Sequence, residues 1–151
     1  MANTYVQLNT HIVFHTKVTG ITMREEDLDR VFRYLGGIVR EAGAIPFAIG
    51  GVVDHVHILT TLPKTIALAD FVRIVKAKSS KWIKTVDTYY EFFQWQEGYG
   101  AFSVSPSLME RTAKYIFNQA EHHNTHSYCE EYGQMLDAYG VDYDERYAFG
   151  D

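Results

Sequence analysis

The sequence predicts one α+β domain spanning residues 1–151: a four-stranded antiparallel sheet with helices on one face, followed by a further C-terminal helix that carries a tyrosine. Three observations predict it. Alternating, β-branched and aromatic segments recur at 5–16, 44–50, 51–60 and 99–104. Apolar residues at helical spacing fill the stretches between and after them. The chain has 151 residues, 46% of them hydrophobic and 15% aromatic, enough for one substantial core.

Residues 5–16 alternate and read as the first strand. Thr22 with Glu25 makes a capping-box signal for a helix with Leu28, Val31, Leu35, Ile38 and Val39 on one face, ending near Gly43. Two strands follow, with Gly50-Gly51 between them as a short hairpin or a bend. Thr65 can cap a second helix bearing Leu68, Phe71, Val72, Val75 and Trp82. The aromatic loop of Tyr89, Tyr90, Phe92, Phe93, Trp95 and Tyr99 is expected to pack under the sheet or at a dimer interface rather than stack on bases. A strand at 99–104 ends at Ser105-Pro106-Ser107, and Ser107 with Glu110 forms a second capping box. A third helix then runs from about Leu108 to His122, and a last one from about Ser127 to Tyr139. The first six elements follow the split βαβ order of ferredoxin-like and RRM-like folds. In that arrangement two helices back one sheet face and leave the other free for ligands or a partner subunit. No internal repeat, low-complexity block or linker is visible.

The net charge of −5 disfavours nucleic acid only superficially, because the charges are segregated. Lys64, Arg73, Lys76, Lys78, Lys81 and Lys84 face only Asp70 within their stretch, whereas residues 121–151 carry eight acids and one base, Arg146. A basic stripe attracts phosphates locally even on an acidic protein, although a solvated helix face is the commoner meaning of such a run. The single cysteine, Cys129, excludes an intrachain disulfide framework, fits a reducing cytoplasm and reads as a buried thiol. Met1-Ala-Asn-Thr opens no signal-peptide pattern, and no apolar run approaches the ~20 residues of a membrane helix.

The chemistry concentrates in two segments. Along a strand, His55 and His57 point to one face while Val56 points to the other. On a helix, Tyr115 and Gln119 lie four residues apart on one face, clear of the apolar stripe of Met109, Ala113, Ile116, Phe117 and Ala120. Two neutral imidazoles and an amide carbonyl suit Mg²⁺ or Mn²⁺ and leave positions open for phosphate oxygens. A closed thiolate zinc site cannot be built from one cysteine. A tyrosine beside such a cation can attack a phosphodiester and conserve its bond energy in a phosphotyrosine ester. Asp54 could support a ligating histidine. His122 and His126 are four apart and could bind zinc, but surface or capping roles are expected for these and His123, with a minor part for His122 near the site.

Asp54-His-Val-His-Ile-Leu59, then Trp95-Gln-Glu-Gly-Tyr-Gly-Ala-Phe-Ser-Val-Ser105, then Tyr115-Ile-Phe-Asn-Gln119 occur in this order. Over about residues 5–147 the chain resembles the single-tyrosine HUH transposases of the insertion-sequence-200/605 type, including those associated with repetitive extragenic palindromes. The resemblance implies that Tyr115 is the nucleophile, forming a 5′-phosphotyrosine link and freeing a 3′-hydroxyl. It implies that His55, His57 and Gln119 bind the metal, Mg²⁺ or Mn²⁺. It implies single-stranded DNA beside a hairpin as substrate and a homodimer, and in some members of the family the tyrosine helix completes the partner's site. No membrane partner is expected, and the expected location is cytoplasmic, nucleoid-associated when bound to DNA. Lys76, Lys78, Lys81 and Lys84 would then contact the DNA backbone. Two rivals remain at this level: a domesticated hairpin-binding protein on the same fold, and a metal-dependent hydrolase in which water attacks and Tyr115 only orients substrate.

Overall fold

A computed structural model describes residues 3–123 and 127–149. Its elements are β1 (Asn9–His15), α1 (Leu28–Glu41), β2 (Pro46–Val52), β3 (His55–Thr61), α2 (Leu68–Val86), β4 (Gly100–Ser103), α3 (Met109–Phe117), α4 (Gln119–His122), α5 (Tyr128–Ala138) and α6 (Glu145–Ala148). The strands form one antiparallel sheet in the order β2-β3-β1-β4, the ferredoxin-like topology that the element order predicts. Alternation sorts the side chains: Ile12, Phe14, Val56 and Ile58 enter a core built with Val31, Leu35 and Val39 of α1 and Phe71, Val72 and Val75 of α2. Tyr90, Phe93 and Trp95 join that core, so part of the aromatic loop packs under the sheet. Phe92 stays exposed.

The opposite face is not free. Val13 and Phe102 pack against Tyr128, Tyr132 and Leu136 of α5, and Ala48, Leu59 and Val104 pack against Ile116 of α3. The chain's own C-terminal helices therefore cover the surface expected to be open. Apolar positions 13, 59, 102 and 104 need cover that α1 and α2, on the far side, cannot supply.

Several local expectations also change. The tight turn between β2 and β3 falls at Val53-Asp54, and Gly50 and Gly51 lie inside β2. Those glycines serve close approach: a Cβ on Gly50 would sit 2.6 Å from the Ile116 carbonyl oxygen, and one on Gly51 would run into the His55 carbonyl. None of the capping residues Thr22, Thr65 or Ser107 closes its helix. One 3₁₀ turn (Glu25–Asp27) leads into α1, another (Pro106–Leu108) leads into α3, and α2 starts after Ala67 without a side-chain cap. Ser127 does cap α5, accepting from the Glu130 N–H. The first strand starts at Asn9, four residues late, because β3 offers pairing partners only as far as Thr61. Cys129 is exposed rather than buried, since α5 turns Tyr128, Glu131 and Tyr132 inward.

Candidate metal and tyrosine site

β1 and β3 build the floor of the site. Their register sets Val13 opposite His57 and His15 opposite His55, so His11, His15, His55 and His57 all project to the α5 face. His55 and His57 are fully buried. The predicted tyrosine helix breaks at Asn118, whose φ/ψ of −98°/20° is not helical, and resumes as α4. Tyr115 and Gln119 nonetheless converge, because both reach a residue the sequence reading missed: Glu131 on α5. The Tyr115 hydroxyl donates to Glu131 Oε2, and Gln119 Nε2 donates to the same oxygen at 3.0 Å. Glu131 Oε1 lies 3.0 Å from His57 Nε2 and 3.2 Å from His55 Nε2, and Gln119 Oε1 lies 3.0 Å from His55 Nε2.

Two outer partners aim the imidazoles. His55 Nδ1 donates to Asp54 Oδ1 at 2.7 Å, and His57 Nδ1 pairs with His11 Nε2 at 2.8 Å. Committing each Nδ1–H outward turns each Nε2 lone pair toward Glu131 and Gln119. Four electron-pair donors then face one another, which only protons or a cation can reconcile. The separations suit a cation: two donors at right angles, each ~2.1 Å from a divalent ion, lie about 3.0 Å apart. His55, His57, Glu131 and the Gln119 carbonyl thus form a donor set for a hard or borderline divalent metal. Glu131 adds a carboxylate to the three ligands expected from sequence.

The electrostatics follow from this packing. Burial alone would depress His55, but Asp54 and Glu131 outweigh it and hold its pKa near 9. Burial lowers His57 despite Glu131. Burial, aided by His57 and opposed by Glu131, takes His11 down to about 3, so His11 is neutral and can accept from His57. Glu131 is pulled far below the carboxylate range: burial opposes this, and its close contacts with His55, His57 and Tyr115 prevail. Burial first, then Glu131, raises Tyr115 well above an ordinary phenol. With Glu131 against its hydroxyl, Tyr115 holds its proton firmly in this arrangement.

The remaining predicted residues disperse. Lys76 donates to the carbonyls of Gln96, Glu97 and Gly98 and lies over the Phe14 and Tyr99 rings, so its ammonium is spent inside the fold. Lys78 pairs with Glu41 at 3.6 Å, and Lys81 and Lys84 are exposed. Lys84 shares a cleft of about 770 Å³ with Lys17, Arg73, Lys76 and Tyr99, on the flank of α2. His122 and His123 approach Glu131, whereas His126 lies outside the described residues. The signals for the missed groups were present: Glu131 interrupts the inward face of an amphipathic helix, and His11 and His15 alternate with Val13 on a strand. No helix among the described residues is long and apolar enough to cross a membrane.

The family profile described as "Transposase IS200 like" matches residues 4–119. No curated protein sequence matches the chain. Among solved structures, a candidate transposase of Deinococcus radiodurans R1 is similar, with 23% identity over 79% of this chain and 96% of that one and a TM-score of 0.60. A REP-associated tyrosine transposase bound to a REP hairpin is similar too, with 12% identity over 82% of this chain and 73% of that one and a TM-score of 0.56. At these identities the structural likenesses establish the fold, a four-stranded antiparallel sheet with helices.

Proposed function

This chain belongs to the IS200-like transposase family, and on that premise we propose that it nicks and rejoins single-stranded DNA beside hairpin ends through Tyr115. One observation carries the reading: the Tyr115 hydroxyl enters the same buried cluster as His55, His57, Gln119 and Glu131, within one subunit. A divalent ion held there, Mg²⁺ or Mn²⁺, would polarise the scissile phosphate and stabilise the departing oxygen. The chain's own groups do the rest. The Tyr115 oxygen attacks phosphorus, the bond from phosphorus to the 3′ oxygen breaks, and a 5′-phosphotyrosine and a 3′-hydroxyl result. Glu131 Oε2 accepts the phenolic hydrogen bond and orients the Tyr115 oxygen, and the proton that the phenol gives up ends on the departing 3′ oxygen, which leaves as the hydroxyl. Asp54 and His11 hold the imidazoles in the tautomers the chemistry needs. The ester stores the energy of the broken bond, so rejoining needs no nucleotide.

The second structural relative is bound to a REP hairpin, which supports hairpin DNA as the ligand, and the Lys17, Arg73 and Lys84 cleft offers a phosphate-binding flank. On this reading Tyr115 works with the histidines of its own chain, and a homodimer would carry two independent centres.

The test mixes the protein with Mn²⁺ or Mg²⁺ and labelled single-stranded oligonucleotides from the gene's own flanks, hairpins included. A protein–DNA band that survives denaturation and disappears with Tyr115→Phe or a chelator is the expected result. Cleaved DNA without an adduct would replace tyrosine attack by hydrolysis. Hairpin binding without cleavage would leave a nucleic-acid-binding protein.

A further inference from the structure

We propose that Glu131 bridges two divalent-cation sites, the second formed with His122 and His123. The proposal rests on the reading that His55 and His57 hold a cation, and extends to residues outside that set. Glu131 is 2% exposed, yet its two oxygens meet different histidines. Oε1 lies 3.2 Å from His123 Nε2, and Oε2 lies 3.3 Å from His122 Nε2. The ligand atoms of His122, His123 and Glu131 fall within 4.8 Å of one another, as do those of His55, His57 and Glu131.

Hydrogen bonding alone does not account for this crowding. Oε2 already accepts from Tyr115 and from Gln119, which uses both of its lone pairs before His122 arrives. Oε1 has His55, His57 and His123 at 3.0–3.2 Å, again one more than it can accept. Consecutive residues on a helix diverge by about 100°. Here His122 ends α4 and His123 follows as its cap, which lets both rings turn to one carboxylate. Two histidines and a carboxylate, their nitrogen–oxygen contacts at 3.2–3.3 Å, match the ligand edges of a four-coordinate ion at ~2.0–2.1 Å, with a fourth position open. The His122 ring centroid is 5.4 Å from that of Tyr115, so this second cation would lie beside the attacking hydroxyl. Oε1 faces His123 as well as His55 and His57, so it is the oxygen the two ions would share, and Oε2 faces His122 on the side of the second.

Calorimetric titration and native mass spectrometry with Mn²⁺, and separately Zn²⁺, count ions per chain. The wild type is expected to take two. His122→Gln/His123→Gln is expected to take one and to keep the melting curve of a folded protein. Asp54→Asn/His57→Gln is expected to take one as well, through the remaining pair. Mn²⁺-loaded wild type should give a spin-coupled paramagnetic resonance signal that collapses to an isolated-ion spectrum in His122→Gln/His123→Gln. One ion in the wild type, or an unchanged count in that double variant, overturns the second site. Two ions without any tyrosine–DNA adduct would sink the proposed strand transfer and leave this centre standing.

Discussion

Gly50→Ala should cripple the tyrosine while leaving the two ligating histidines in place. The alanine methyl would sit 2.6 Å from the Ile116 carbonyl oxygen and 3.1 Å from its Cγ2. Ordinary contact begins near 3.4 Å, so α3 must retreat by about 0.8 Å or β2 must buckle. Backbone, not a side-chain tip, is in the way, and overpacking of this kind costs about 1–3 kcal/mol. Ile116 is the immediate neighbour of Tyr115, so the retreat moves the attacking oxygen. A displacement approaching 1 Å can cost on the order of 100-fold in rate. Single-turnover adduct formation on a hairpin oligonucleotide should fall by roughly 10- to 100-fold. Mn²⁺ affinity should change less, because His55 and His57 sit on β3 and Glu131 on α5, and only the Gln119 carbonyl follows α3. Gly37→Ala is the control: it lies on α1 with nothing within 4 Å and should gain about 0.5–1 kcal/mol by helix propensity alone. Wild-type adduct rates in Gly50→Ala, with a lowered melting temperature, would refute the idea that flush packing of α3 on β2 positions Tyr115.

Other expectations follow from the charges. Because His55 titrates near 9 in the metal-free protein, an incoming ion must displace its proton. Mn²⁺ affinity should therefore rise by up to about tenfold per pH unit from pH 6.5 toward 9, and calorimetry in buffers of different ionisation enthalpy should show about one proton released; no release would contradict the Asp54–His55–Glu131 arrangement. His11 titrates at about 3 in the fold against 6.5 free, so the unfolded chain binds the extra proton between those values and stability falls with pH across them. Denaturant melts at pH 7 and pH 4.5 should show a smaller acid loss in His11→Gln than in wild type, by up to about 2–3 kcal/mol; equal losses would mean that His11 is not kept neutral. Lys76→Met leaves three carbonyls unmatched and should cost about 1–3 kcal/mol in melting experiments. Lys17→Gln/Lys84→Gln should lower the salt dependence of hairpin binding by about two charges, whereas Lys78→Gln should hardly move it.

The sheet and the paired histidines were legible because period-2 alternation carries both: the pattern that sends Val56 and Ile58 to one core sends His55 and His57 to the other face. Strand order followed from element order, since short connections leave a split βαβ chain few ways to pair. Caps were less legible. Thr22, Thr65 and Ser107 have cap chemistry, but 3₁₀ turns and an extended entry take the helix starts instead. Gly50-Gly51 has turn chemistry, but the demand there is contact with α3, and which backbone will press on a strand is a tertiary fact with no local signature.

Glu131 shows why the site was only half readable. Sequence separation hides it: sixteen residues divide it from Tyr115 and 74 from His57. Its one local mark is an acid among Tyr128, Tyr132 and Leu136 on the buried stripe of α5. A carboxylate does not enter such a stripe without compensation, because desolvation costs several kcal/mol unless partners or a cation repay it. That rule makes α5 the informative element of the C-terminal region. The helix exists to bury aromatic residues on β1 and β4, and the acid it carries inward must meet whatever polar groups the sheet presents there. In this sheet those groups are His55 and His57, so the covering that closes the second face of the fold also delivers a ligand to the metal site and an acceptor to the tyrosine.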